Sequence, residues 1–81
     1  MAITTVVEVD TRIRDLVTRE LEWDAAVDAS AIGVAAQAGT VTLTGYVDTY
    51  ACKLAAERAA KRVRGVRAVA NDIEVRPKVG R

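Results

Sequence analysis

The hydrophobic period changes partway along this chain, and that change restricts the possible folds more than any other feature. Up to about residue 21, apolar residues recur at the spacing of one helix face. From residue 32 they alternate with polar or small residues, as in a strand with one buried face. Helical spacing returns after residue 49, and alternation returns near the end. The order predicts an α+β fold, α-β-β-α-β.

The first helix is expected from about Val9 to Leu21. Its apolar stripe has five members: Val9, Ile13, Leu16, Val17 and Leu21. Two starts are open, because Thr5 and Glu8 fit a capping box while Asp10 is an alternative N-cap.

A β-hairpin is expected next. Its apolar face comprises Ile32, Val34 and Ala36 on one strand and Val41, Leu43 and Val47 on the other. Ala38 and Gly39 indicate the turn, because glycine adopts positive φ readily. The other face of the second strand carries Thr40, Thr42 and Thr44, which favour extended backbone. Gly45 interrupts the apolar face and predicts a bulge or the close approach of a helix.

Asp48 is expected to cap a second helix from Thr49 to about Arg64, with Gly65 as its C-cap. Its small apolar residues should face the sheet: Cys52, Ala55, Ala56, Ala59, Ala60 and Val63. A last strand follows, in which Val69, Ile73 and Val75 alternate around Asn71. The amide of Asn71 is expected to bond nearby backbone at a strand irregularity.

These elements predict two helices packed on one face of a three-stranded mixed sheet. The second helix then forms a right-handed crossover between parallel strands 2 and 3. An all-antiparallel sheet with strand 1 at its centre is the alternative. The expected domain covers residues 10–76, after a lead-in at 1–9 and before a tail or linker at 77–81.

Composition argues against catalysis and cofactor binding. Among 81 residues there is no His and one Cys, so the commonest general base and metal ligand is absent. Cys52 is expected to behave as a small buried hydrophobe. No catalytic, metal or cofactor site is predicted. Without a signal peptide or apolar span, the chain is expected to be cytoplasmic, or periplasmic or envelope-associated if excised from an exported protein.

The ordered motifs resemble the BON domain, a bacterial module named after osmotically induced and nodulation proteins. The first half matches at Asp28-Ala29-Ser30-Ala31-Ile32-x-Val34 and Gly39-Thr40-Val41-Thr42-Leu43-Thr44-Gly45-x-Val47. The second half matches at Ala55-Ala56-Glu57-x-Ala59-Ala60 and Val63-x-Gly65-Val66-x-x-Val69-x-Asn71-x-Ile73-x-Val75.

This resemblance implies a non-enzymatic binding role, toward phospholipid or the cell envelope, in a stress- or transport-associated bacterial protein. Trp23-Asp24 and Tyr50-Ala51-Cys52-Lys53 are similar to the first module of cytosolic proteins that carry several tandem BON domains. The alternative function is therefore protein–protein interaction with sister modules or another protein.

Charge is unevenly distributed along the chain. Residues 1–40 carry seven acidic and three basic side chains, whereas residues 41–81 carry four acidic and nine basic ones. Lys and Arg contribute about 1 kcal/mol each near an anionic leaflet, and Tyr suits the headgroup boundary. The predicted lipid-binding residues are Tyr50, Lys53, Leu54, Lys61, Arg64 and Arg67. The alternative is a solvated helix face with a Glu57–Lys61 ion pair.

Two further expectations concern aromatic residues. The chain has no Phe and one Trp, so Trp23 is expected to close the edge of the core, with a partner anchor as the alternative. Nucleic-acid binding is not predicted, because threonines occupy the strand positions where an RNA-binding sheet carries stacking aromatics.

Overall fold

The computed structural model describes residues 5–77, with side chains from residue 9 onward. Its elements are α1 (Thr5–Trp23), β1 (Ile32–Gln37), β2 (Thr40–Val47), α2 (Tyr50–Lys61), β3 (Ala68–Asn71) and β4 (Glu74–Val75). The predicted α+β order is confirmed, with the last strand divided into β3 and β4. Part of the predicted lead-in and most of the predicted tail lie outside the described residues.

The sheet is mixed, as predicted, and β2 lies at its centre. β1 pairs antiparallel with β2, which places Val34 opposite Leu43. β3 pairs parallel with β2, with Val69 opposite Val41, and β4 extends the parallel pairing with Val75 beside Val47. The all-antiparallel alternative with strand 1 at the centre is therefore wrong.

The core lies between the sheet and the two helices, which cover one of its faces. It is built from Ile13, Val17 and Leu21 of α1, Val41, Leu43 and Val47 of β2, and Ala55, Ala56, Ala59 and Ala60 of α2, together with Val27, Val63 and Ile73. The four alanines of α2 keep its backbone close to the sheet. The predicted packing of α2 through its alanine face is confirmed.

Helix α1 differs from its prediction both in where it begins and in how many residues of its apolar stripe are buried. It begins at Thr5, so Asp10 lies inside the helix and is not the N-cap. The alternative capping box depends on side chains that lie outside the described residues. Val9 and Leu16 are 46% and 37% exposed, so the buried stripe is narrower than predicted.

The carboxylate of Asp10 holds the hairpin turn instead of capping the helix. It accepts hydrogen bonds from the backbone N–H groups of Ala38 and Gly39, at 3.0 and 3.4 Å. Both turn residues have positive φ, at 51° and 84°, as a two-residue turn with the twist of the strands requires. The bond therefore fixes α1 to the end of the β1–β2 hairpin.

Both ends of α2 also differ from the prediction. The cap is Thr49 and not Asp48, since the Thr49 hydroxyl accepts the Cys52 N–H at 3.1 Å. The helix ends at Lys61 with Arg62 as its C-cap, so Arg64 lies outside it. Gly65, with φ of 100°, belongs to the turn that follows and is not the C-cap.

Gly45 is a position of close approach, but not to either main helix. A Cβ added there would overlap the backbone carbonyl oxygen of Ala31, in the short 3₁₀ turn Ala29–Ala31 that precedes β1. Its φ of 111° is also one that residues with a Cβ rarely adopt. The predicted close approach to Gly45 is therefore made by this short turn and not by α1 or α2.

Asn71 joins the interruption of the last strand to the middle of α2, as its predicted structural role requires. Its amide nitrogen donates to the Lys53 carbonyl at 3.0 Å and to Glu57 Oε1 at 3.2 Å. Its amide oxygen accepts the Ile73 N–H at 3.2 Å, across the gap between β3 and β4. One side chain thus satisfies a backbone carbonyl of α2 and a backbone N–H within the break.

Candidate membrane-docking surface

The predicted lipid-binding residues fall in three places. At about 100° per residue, Tyr50, Leu54 and Lys61 lie on the side of α2 opposite its buried alanines. Tyr50 is 62% exposed and Leu54 is 37% exposed. Lys53 is half-buried on the flank of the helix nearest β3, where its carbonyl accepts the Asn71 amide.

Arg67 lies at the hairpin end of the domain. Its N–H donates to the Gly39 carbonyl at 2.8 Å, and the aliphatic part of its side chain covers Gly39. Arg64 follows α2 and lies beside α1. The six residues are therefore not brought together into one surface.

The predicted Glu57–Lys61 pair is confirmed, at 2.9 Å between Lys61 Nζ and Glu57 Oε2. Lys61 and, to a smaller extent, the Asn71 amide hold the pKa of Glu57 below its ordinary value, because both donate to the carboxylate. The charge of Lys61 is therefore partly balanced within α2. This leaves the outer side of α2 less cationic than its sequence implies.

The aromatic side chain that stands out is Trp23, at 81% exposed. The expectation that it closes the core is wrong, because Leu21 and Val27 are buried near the end of α1 instead. Trp23 shares one side of α1 with Leu16 and Arg19, at helical spacing. Its alternative interpretation, an anchor for a partner, stays a prediction.

A shallow cleft of about 440 Å³ joins this side of α1 to the residues that follow α2. We refer to five of its lining residues as the Trp23 patch: Leu16, Arg19, Trp23, Arg62 and Arg64. Glu20 and Val63 also line it. The patch combines one large aromatic residue, one aliphatic residue and three guanidinium groups.

The three arginines differ in how far their charges are balanced. Arg62 reaches from the end of α2 to Glu20 at 3.4 Å and Asp24 at 3.5 Å on the α1 side. Arg19 and Arg64 form no ion pair with any described residue. Arg62 therefore links the end of α2 to α1 through exposed ion pairs with two carboxylates, while the charges of Arg19 and Arg64 are not balanced in this way.

Sequence analysis missed this patch, although one signal for it exists. Counting about 100° per residue, Trp23 lies about 200° around α1 from Leu21, away from the buried stripe. The absence of Phe instead favoured a place for Trp23 at the edge of the core. The contribution of Arg62 depends on how α2 crosses α1, which helical spacing does not determine.

Neither a metal-ligand cluster nor a membrane-spanning helix occurs among the described residues. No group of three or more His, Cys, Asp or Glu side chains in this part of the chain is arranged to hold a metal ion. Cys52 is half-buried and packs against the core. Within the same residues, neither helix has the length and apolar character needed to cross a bilayer.

The family model of the BON domain matches residues 9–77. A search of curated proteins found no matching relative. The matched range includes α2, the whole sheet and every residue of the Trp23 patch. It also includes α1, apart from the first turn of that helix.

Proposed function

Because the chain belongs to the BON domain family, we propose that it is a non-catalytic binding module that docks on anionic phospholipid through the Trp23 patch. The observation that carries this proposal is the 81% exposure of Trp23 beside arginines that lack ion-pair partners among the described residues. A large aromatic side chain left in water needs an explanation, whereas an isolated exposed Leu does not.

A phospholipid surface suits both parts of the patch. The amphipathic indole ring of Trp favours the level of the lipid headgroups. Guanidinium groups bind phosphate through paired hydrogen bonds, and each cation near an anionic leaflet contributes about 1 kcal/mol. Arg19 and Arg64 together should give weak binding that weakens further with salt.

The outer side of α2 would act as a second, weaker contact in this proposal. Tyr50 and Leu54 are exposed on the same helical layer, and Lys53 lies at its flank. Arg64 belongs both to this predicted set and to the Trp23 patch. A cytoplasmic location, in a stress- or transport-associated bacterial protein, would present the module with the anionic inner leaflet.

The single Trp of the chain provides a direct test. We expect its fluorescence to shift to the blue when the protein is titrated with vesicles containing phosphatidylglycerol, and added salt to reverse the shift. Equal binding to pure phosphatidylcholine vesicles would contradict the electrostatic part of the proposal. Binding to anionic vesicles without a blue shift would exclude Trp23 and favour the outer side of α2.

Matched variants then separate the patch from general charge. Arg64→Gln should weaken binding to anionic vesicles about fivefold, since one cation contributes about 1 kcal/mol. Arg76→Gln is the control, because it removes the same charge from the helix-free face, where Arg76 lies 4.8 Å from the centre of the Tyr46 ring. Equal losses in the two variants would mean that net charge, and not the patch, controls docking.

A second function, association with other protein modules, is favoured by the edge of β1. In a tandem-BON protein the partner would be a sister module. The observation that favours this function is that backbone N–H and C=O groups along this edge face away from β2.

A further inference from the structure

The outer edge of β1 presents backbone groups that no described residue satisfies. Gln37 and Thr40 flank the two-residue turn and therefore exchange hydrogen bonds with each other. Because the backbone groups of successive residues alternate in direction along a strand, the N–H and C=O groups of Ala35 and Gly33 also point toward β2. The N–H and C=O groups of Val34 and Ala36 point away from β2, toward the open edge.

The two edges of this sheet differ in protection. The β3–β4 edge is interrupted at Asp72 and Ile73, and it is flanked by Arg67, Glu74 and Pro77. Breaks, charges and prolines are the features by which proteins prevent edge strands from pairing. β1, Ile32–Gln37, has none of them. The β3–β4 edge is therefore protected against pairing, whereas the β1 edge is available for it.

We infer that β1 pairs antiparallel with β1 of a second copy of this chain, about a twofold axis at Ala35. In this register Val34 of each strand lies opposite Ala36 of the other. The N–H and C=O groups of Val34 and Ala36 in each strand then all take part. These eight groups form four hydrogen bonds between the two copies. The pairing is isologous, since the same patch serves on both sides. No component other than the chain itself is required.

The side chains beside the edge allow this approach. Gly33 and Ala35 are small and exposed on the helix-free face. On the helical face, Thr11 and Arg14 of α1 line a cleft above Val34 and Ala36. Arg14 also lies 3.4 Å from the carboxylate of Asp15, so this flank carries both signs of charge.

Charge complementation at Ala35 tests the dimer and its register together. Ala35→Glu places two like charges opposite each other across the axis and should weaken dimerisation about fivefold, as should Ala35→Lys. An equimolar mixture of the two should recover or exceed native dimerisation. Sedimentation velocity measures each case. A native chain that stays monomeric at all concentrations, or a mixture that does not recover, would overturn the inference.

Proline variants give an independent test of the backbone groups. Ala36→Pro removes an outward N–H without removing any bond to β2, and should abolish the dimer. Ala36→Ser is the control at the same position, because it keeps the outward N–H and should leave the dimer intact. Circular dichroism verifies folding, and dimer loss in both variants, or in neither, contradicts pairing through β1.

This inference rests on the second proposed function, association through the β1 edge, and is independent of lipid docking. Failure of vesicle binding leaves the dimer in place, and failure of dimerisation leaves the Trp23 patch in place. If extended peptides bind the native monomer at β1, the edge is used by another partner and the second copy is wrong.

Discussion

At the scale of single residues, this small domain depends on a few side chains and glycines that join separate elements. Asp10 joins α1 to the hairpin turn, Asn71 joins the last strand to α2, and Arg62 joins α2 to α1. Gly45 allows the start of β1 to lie against β2. None of these contacts follows from hydrophobic periodicity, since each connects residues far apart in the chain.

Gly45→Ala should destabilise the domain by about 3 kcal/mol or more. The added methyl group would overlap the Ala31 backbone, which cannot rotate away, and φ of 111° would be strained as well. Gly33→Ala is the matched control, because there the new Cβ meets only the hydroxyl of Thr44, at 2.8 Å. Urea denaturation measures both variants. Similar losses would refute the role of the Ala31 carbonyl.

Glu57 should make stability depend on pH in the acid range. Its pKa in the folded protein is lowered below 4.5, mainly by Lys61 and then by Asn71. Its stabilising contribution is therefore complete above that ordinary value and is lost as pH falls through the lower folded value. We expect native protein to exceed Glu57→Gln in stability at pH 7, with the gap closing below pH 4.5. A constant gap from pH 7 to pH 3 would exclude this linkage.

At the scale of elements, the sequence predicted the order and pairing better than the ends. The alanines of α2 and the alternation in β2 are strong signals because burial is periodic in each element. Asp48 and Thr49 are both good caps, and periodicity does not choose between them. Val63 is buried although it lies beyond the helix, so the apolar pattern predicted a longer α2.

Thr49→Ala should lower stability by about 1 kcal/mol, because it removes the acceptor for the Cys52 N–H. Thr49→Ser keeps a hydroxyl and should restore most of the loss. Thermal denaturation of the three proteins measures the difference. If Ser and Ala behave alike, the methyl group of Thr49 matters more than its hydroxyl, and the cap assignment is wrong.

At the scale of the whole molecule, the two proposed surfaces cooperate geometrically. Antiparallel pairing of β1 with its copy forms a continuous sheet whose twofold axis is perpendicular to it. Both helical layers then lie on the same side of that sheet. The two Trp23 patches therefore face the same flat surface, and one membrane can engage both. Linked sites of this kind can raise overall affinity by a factor of about 100 or more.

Charge and avidity predict opposite changes in the affinity of Ala35→Lys for anionic vesicles. Ala35 lies on the helix-free face, away from the Trp23 patch, so Ala35→Lys adds a positive charge and should strengthen binding to anionic vesicles if charge alone matters. If the dimer supplies avidity, Ala35→Lys should instead bind up to about fivefold more weakly than native protein, the factor by which its dimerisation is weakened. Mixing it with Ala35→Glu should restore native affinity, because the mixture rebuilds the dimer with no gain in net charge. Flotation with phosphatidylglycerol vesicles distinguishes the two, since tighter binding by Ala35→Lys would show that each patch acts alone.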